Sequence, residues 1–229
     1  IRYIKPLKTK KEQIELDDGD FLTLFWLING NGPIVIIVHG LEGDQNSNNV
    51  KAMFCAINKY GWNSVMILNR NCGGISNRLH RTYHAGETED LDFVVNLLKK
   101  RFPKIPLVVY GYSLGGNIVL KWLGEKSEKA NIKAAAAVST PFDLASSSYV
   151  LNKGFSKIYQ RHFVNLLRKS AKRKFRKIPP LFNPGNLNNI KTLRDFDERV
   201  TAPLHGFKNA DHYYKESSCK NFIKKIRVP

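Results

Sequence analysis

Gly111-Tyr112-Ser113-Leu114-Gly115 sets a serine between two glycines at GxSxG spacing. The apolar run Leu107-Val108-Val109-Tyr110 leads directly into it, and Asn117-Ile118-Val119-Leu120 follows. A strand that bends sharply into a helix lifts such a serine hydroxyl out at the strand's end. Side chains two before and two after it would collide, which is why both positions are glycine. Gly116 adds room, and the helix N-terminus beneath favours developing negative charge. This is the chemistry of a nucleophile that attacks an acyl carbon, with Ser113 as the attacking group. The tetrahedral intermediate then needs two preorganised N–H donors. One is the amide of Leu114. The other is expected in the loop after the first buried parallel strand, where His39-Gly40-Leu41-Glu42-Gly43 places it at Leu41. His39 reads as an imidazole that anchors this loop. His39 and Asp44 also fit an HxxxxD acyl-transfer spacing, a weak match because four arbitrary residues intervene.

The flanking sequence supplies the elements that would position these groups. Gln13–Leu16 and Phe21–Leu27 alternate like strands around Asp17-Asp18-Gly19-Asp20 and predict a hairpin. Ile34–Val38, Ser64–Leu68 and Pro106–Tyr110 are short and apolar on both faces, as buried parallel strands are, and Ile132–Val138 reads as a fourth strand. Helices are predicted from about Asn49 to Lys59, over Asp90–Arg101 and over Asn117–Leu123. In the second, Leu91, Val94, Val95 and Leu98 recur at helical spacing. Strand alternating with helix predicts a mostly parallel sheet with helices on both faces. After Pro141 the pattern becomes helical, broken at Pro179-Pro180, Pro184-Gly185 and Pro203, with no convincing buried strand up to residue 226. Residues 142–205 read as a lid within a single domain spanning 1–229. Ile226-Arg227-Val228-Pro229 reads as the approach to another strand, so strands are expected beyond it.

These motifs resemble the YheT-like α/β-hydrolases, a bacterial branch related to plant embryogenesis-associated and animal lipid-hydrolase members. The resemblance rests on Leu16–Phe21, His39–Gly43, Asn77–Asp90, Gly111–Asn117, Pro141–Leu144, Lys153–Arg161, Phe196–Glu198 and Thr201–Phe207. It spans nearly the whole chain, and the stretch from Arg78 to Asp90 is far more specific than GxSxG alone. It implies the α/β-hydrolase fold and an esterase or lipase-like activity on acyl esters. It also implies that the triad Asp and His lie further along, beyond Pro229.

A serine at neutral pH needs a general base and a group that orients the base. Within these 229 residues the base would be His162, His205 or His212, and the acid Asp143, Asp195, Asp197 or Asp211. Asp143 follows a strand end and is the best of the acids. His205 and His212 sit in a polar helical region with no strand to aim them. The preferred expectation is that both partners lie outside this chain, which alone would hydrolyse esters poorly. On the substrate side, His84 lies in the loop after the second buried strand. It contacts substrate, braces the oxyanion loop, or merely starts a helix before Glu87 and Asp90. Tyr112, beside the nucleophile, is a further substrate-binding candidate. Tyr149, Phe155, Tyr159, Phe163 and Leu167 form an aromatic and apolar stripe that either covers an acyl chain or packs on the core. Arg70, Asn71 and Arg78 read as scaffold.

Composition narrows the classes. Hydrophobic residues at 42% and charged residues at 24% exclude wholesale disorder. Cys55, Cys72 and Cys219 are scattered, with no CxxC pair, and read as free thiols rather than a zinc site. No metal or cofactor is expected. No apolar run approaches the roughly 18 residues of a spanning helix. The start, Ile1–Pro6, lacks a signal-peptide core and an initiator Met, and reads as trimmed. A cytoplasmic location follows as an expectation, peripheral to the inner membrane face at most. Net charge is +18, which is high enough to draw anionic partners. Residues 161–177, with eight Lys or Arg, can lie against anionic lipid; no specific nucleic acid is expected. Two other classes stay open. One is acyl transfer from the same Ser113 acyl-enzyme to an alcohol. The other is a non-catalytic basic scaffold that binds membrane or nucleic acid.

Overall fold

In a computed structural model describing residues 4–229, Lys10–Glu15 (β1) and Phe21–Leu27 (β2) pair antiparallel, with Lys10 opposite Trp26 and Glu15 opposite Phe21. Residues 1–3, part of the start discussed above, lie outside the described residues. The hairpin turns at Gly19, whose φ of +81° is open to glycine without a Cβ penalty. Ile34–Val38 (β3), Asn63–Leu68 (β4), Leu107–Tyr112 (β5) and Ala134–Val138 (β6) complete a six-stranded sheet in the order β1-β2-β4-β3-β5-β6. The last four are mutually parallel, and β2 joins them antiparallel through β4.

The strands divide their side chains by the two-residue period. Ile34, Ile36 and Val38 enter a core with Glu89–Arg101 (α2) and Leu114–Lys126 (α3), including Leu91, Val95, Ile118 and Trp122. Val35 and Ile37 face the opposite core, closed by Val50, Phe54 and Ile57 of Asn48–Lys59 (α1). Helices therefore cover both faces, as the alternating pattern requires.

β6 is one edge strand of the sheet, β1 being the other. It is shorter than the sequence run implies, and its residues are half-buried or exposed. Ala135 donates to the Pro229 carbonyl at 2.9 Å, and Ile226 and Val228 pack on the first core.

From residue 142 onward the described chain is helical. Leu144–Leu151 (α4) and Ser156–Lys177 (α5) come first. Leu193–Phe196 (α6) widens into a π turn at Asp197–Thr201 and runs on through Ala202–Leu204 (α7) to Ala210–Ser217 (α8). This layer has its own small core of Val164, Leu167, Ala171, Leu187, Ile190, Phe196 and Val200. No helix among the described residues is long and apolar enough to cross a membrane.

Candidate active site

Ser113 sits where β5 ends and α3 begins, with φ +53° and ψ −120°. A non-glycine residue there is strained and persists only because its surroundings over-determine it. Those surroundings are tight. A Cβ at Gly111 would lie 2.5 Å from the Gly115 carbonyl oxygen. One at Gly115 would lie 2.2 Å from the Val38 oxygen and 2.6 Å from that of His39, and one at Gly116 2.2 Å from Thr140 Oγ1. The Ser113 amide donates to the Val138 carbonyl at 2.8 Å, which ties the bend to the neighbouring strand end. Among the described residues the Ser113 hydroxyl has no hydrogen-bond partner.

The loop after β3 comes up beside it. A Cβ on Gly40 would lie 3.3 Å from that of Ser113. His39 is fully buried and holds this loop. Its Nδ1 donates to the Gly40 carbonyl at 2.7 Å and its Nε2 accepts from the Asn69 amide at 3.1 Å. Burial holds its pKa below the usual imidazole value, in keeping with an anchoring role. Glu42 has φ +51°. Its amide donates to the Tyr83 hydroxyl at 2.7 Å, and Tyr83 donates to Glu42 Oε1 at 3.2 Å. One tyrosine thus grips both the backbone and the side chain of the residue after Leu41. Among the described residues neither the Leu41 nor the Leu114 amide donates to a protein acceptor. Both residues line the same cavity as Ser113.

That cavity measures about 560 Å³ and its walls are mainly apolar. The sheet edge supplies Leu41, Ser113 and Leu114; the helical layer supplies Leu144, Val150, Leu151, Phe163, Leu167, Phe196 and Val200. The wall continues past residue 205 to Tyr213 and Tyr214. Of the substrate-side candidates, His84 lines it. Tyr112 does not. Its ring leans toward Gly40 at the base of the loop after β3. Tyr149 and Phe155 stand outside, 63% and 91% exposed. The aromatic stripe is therefore split. On α5, Phe163 and Leu167 face the cavity and Tyr159 faces solvent, because Val164, Leu167 and Ala171 fix its rotation; Tyr149 on α4 and Phe155 before α5 also face solvent.

None of the internal base or acid candidates is hydrogen-bonded to Ser113. His205 stacks against His84 with ring centroids 4.5 Å apart. Burial, with the Arg81 charge, pushes His205 down to about 4. His84 accepts from the Gly86 amide at 3.1 Å; burial, then His205 and Lys121, keep it neutral well below its ordinary value. His162 is exposed on α5, and His212 Nδ1 accepts from the Lys208 amide. Asp143 caps α4, accepting from Ser146, and its ion pair with Lys220 lowers its pKa. Asp195 accepts from the Lys191 amide, and Asp211 pairs with Arg194. Asp197 does line the cavity, held by Thr201 and Tyr214 at 2.8 Å each, and burial raises it to about 6. Glu42, also at the cavity, is raised by burial to about 7.

Several residues matter here that sequence reasoning passed over. Asn117, fully buried under the bend, donates to the Ala85 and Ser217 carbonyls and accepts from the Cys219 amide, all within 2.9 Å. Lys174 turns inward from α5 and donates to Asn77 Oδ1 at 2.7 Å and to the Asn77 and Leu79 carbonyls. Asn77 in turn donates to Asp20, which with Asp18 and Asp90 surrounds the buried Arg70. Arg78 pairs with Glu15 and Asn71 donates to Ser170 at 3.0 Å; Arg70 and Arg78 do not line the cavity, whereas Asn71 does. The only advance signal for this network was the dense run of polar residues between Asn77 and Asp90.

Comparison with known proteins agrees with this architecture. Residues 33–206 match the alpha/beta hydrolase fold family. YheT of Escherichia coli strain K12 is 38% identical over 95% of this chain and 66% of its own length. The monoacylglycerol lipase of Saccharomyces cerevisiae is 34% identical over 86% of this chain and 46% of its own. Among solved structures, the Pyrococcus furiosus esterase Pf2001 superposes with a TM-score of 0.55 at 24% identity, over 70% of this chain and 66% of that one. The chain thus spans about two thirds or less of the length of these relatives. With its sheet order, its bend at Ser113 and these matches, the chain belongs to the alpha/beta hydrolase fold family, on the YheT-like branch.

Proposed function

We propose that this chain carries the nucleophile and oxyanion site of a carboxylic-ester hydrolase acting on acyl esters of lipid type. The observation that carries the reading is the unpartnered Ser113 hydroxyl, raised on a strained bend at an apolar cavity, beside the free amides of Leu41 and Leu114. Ser113 Oγ attacks the acyl carbon and its proton passes to a base. The Leu41 and Leu114 amides receive the negative oxygen, one such donor being worth roughly 10²–10³ in rate. The bond to the alcohol breaks, the alcohol takes the proton, and water releases the acid from the acyl-enzyme. Residues 142–205 serve as the lid over the acyl chain. The base and its carboxylate are assigned to chain outside these 229 residues, in keeping with the YheT-like resemblance; the internal candidates are engaged elsewhere, His205 against His84, Asp143 with Lys220 and Asp211 with Arg194. The esterase and lipase names of similar proteins support ester chemistry.

A fluorophosphonate probe tests the nucleophile. Slow labelling confined to Ser113 and absent in Ser113→Ala is expected. Labelling that survives Ser113→Ala removes the assignment. Rapid turnover of a short-chain nitrophenyl ester by these 229 residues alone would overturn the placement of the base.

A further inference from the structure

From Leu144 to Leu193 the sequence holds eleven Lys and Arg and no Asp or Glu. None of the eleven takes part in a salt bridge among the described residues. Only Lys174 is buried; the other ten are half-buried or exposed. These eleven cations sit on the first stretch of the helical layer, which itself carries no carboxylate from Leu144 to Leu193.

The same layer shows apolar surface at one end. Where α4 turns into α5 through Gly154, at φ +49°, the side chains of Tyr149, Val150, Phe155, Ile158 and Tyr159 all face outward. Ile158 is 69% exposed and Val150 58%. Lys153, Lys157 and Arg161 are exposed among them. Large apolar side chains clustered in the open mark an interaction surface. This cluster adjoins the cavity, for Val150 and the next residue, Leu151, also line it.

We propose that the α4–α5 turn is a membrane-docking tip, with Phe155 and Ile158 entering the acyl region of an anionic bilayer while the cations of α5 rest on its headgroups. An apolar edge with a cationic flank is the chemistry of an interfacial helix. A nucleic acid would use the cations but give the aliphatic Val150 and Ile158 no burial. This shifts the lipid contact from 161–177 alone. The inner face of that stretch is spent on packing, at Val164, Leu167, Ala171 and Lys174, so its basic side lies flat and residues 149–159 penetrate. Entry of an acyl ester from the bilayer at Val150 into the cavity rests on the ester-hydrolase reading; the docking does not.

Cosedimentation of the 229-residue chain with vesicles tests it, in a Ser113→Ala background so that lipid is not consumed. Binding to phosphatidylcholine–phosphatidylglycerol vesicles is expected, weaker on phosphatidylcholine alone and weakened by salt. The double variant Phe155→Ser, Ile158→Ser, at two exposed sites, keeps the melting temperature and loses about tenfold or more in partitioning. Phe155→Trp gains fluorescence that brominated acyl chains quench beyond the quenching of the native tryptophans. Any of four results overturns the proposal: no vesicle binding, binding unchanged in the double variant, no added quenching, or salt-sensitive retention on DNA by a chain indifferent to vesicles. A concentration-dependent dimer abolished by the double variant, without vesicle binding, would assign the tip to a second copy instead. Ser113 labelling is read separately, so failure of docking and failure of the nucleophile assignment are distinguishable.

Discussion

Replacing Ser113 by glycine should stabilise the protein while removing the proposed nucleophile, and replacing it by alanine should not stabilise it. Ser113 holds φ +53° and ψ −120°, a conformation that costs a residue with a Cβ about 1–3 kcal/mol. Glycine removes that cost but adds freedom to the unfolded chain worth about 0.5–1 kcal/mol. The net gain is on the order of 1 kcal/mol. Alanine keeps the Cβ and the strain and deletes only a hydroxyl that has no hydrogen-bond partner among the described residues, so its effect is close to zero. For a chain of this length, 1 kcal/mol moves the melting temperature by about 2–4 °C. The assay is therefore a comparison of the two variants by calorimetry and by urea midpoint, with the m-value held as a control for unchanged compactness. Serine-to-glycine should melt above serine-to-alanine by that margin. If glycine is equal or lower, residue 113 is not strained, and the bend that presents its hydroxyl does not exist as described.

Three further outcomes follow from the same geometry. Gly115→Ala sets a Cβ 2.2 Å from the Val38 carbonyl oxygen and 2.6 Å from that of His39, and backbone on both sides cannot swing away. A loss of about 1–3 kcal/mol and a fall of about 10²-fold in fluorophosphonate labelling are expected, and near-native labelling would contradict the close approach of the two loops. Tyr83→Phe removes the hydroxyl that holds both the Glu42 amide and its carboxyl. Urea midpoints should drop by about 1 kcal/mol equivalent and Ser113 labelling by a fluorophosphonate should slow, and unchanged labelling would contradict the role of this grip. The two buried-side titrations act with opposite sign. His205, near 4 folded against 6.5 unfolded, lets the unfolded chain bind the proton first, so its contribution is full above 6.5 and is lost as pH falls toward 4. Asp197, near 6 folded against 3.8 unfolded, costs stability as pH rises through that window. Asp197→Asn should therefore raise the urea midpoint at about pH 8 and leave it unchanged at about pH 4, whereas His205→Gln should flatten the acid limb.

Local rules were enough for the bend at Ser113, the four parallel strands and the two faces of the sheet. Glycine sterics act over five residues, and strand alternation over two, so both are written into the neighbours themselves. The His39 anchor is local only in part: its bond to the Gly40 carbonyl lies within its own turn, whereas its bond from the Asn69 amide crosses to the neighbouring strand end. The helical layer after residue 142 was legible only as helix. Which of its aromatics face inward depends on the rotation of α5, and that rotation is set by contacts distant in sequence: Lys174 on Asn77 and Leu79, Ser170 on Asn71. Hence Phe163 and Leu167 reach the cavity and Tyr159 on the same helix does not, while Tyr149 on α4 and Phe155 in the turn before α5 stand outside it, though all five share one apolar pattern. The grip of Tyr83 on Glu42 and of Asn117 on Ala85, Ser217 and Cys219 likewise joins residues 32 to 102 positions apart. By itself the sequence determined a serine on a glycine-flanked bend and a fold to carry it. Tertiary packing alone decided what surrounds that serine, because hydrogen bonds across the fold follow from three-dimensional proximity and leave no periodic trace in the chain.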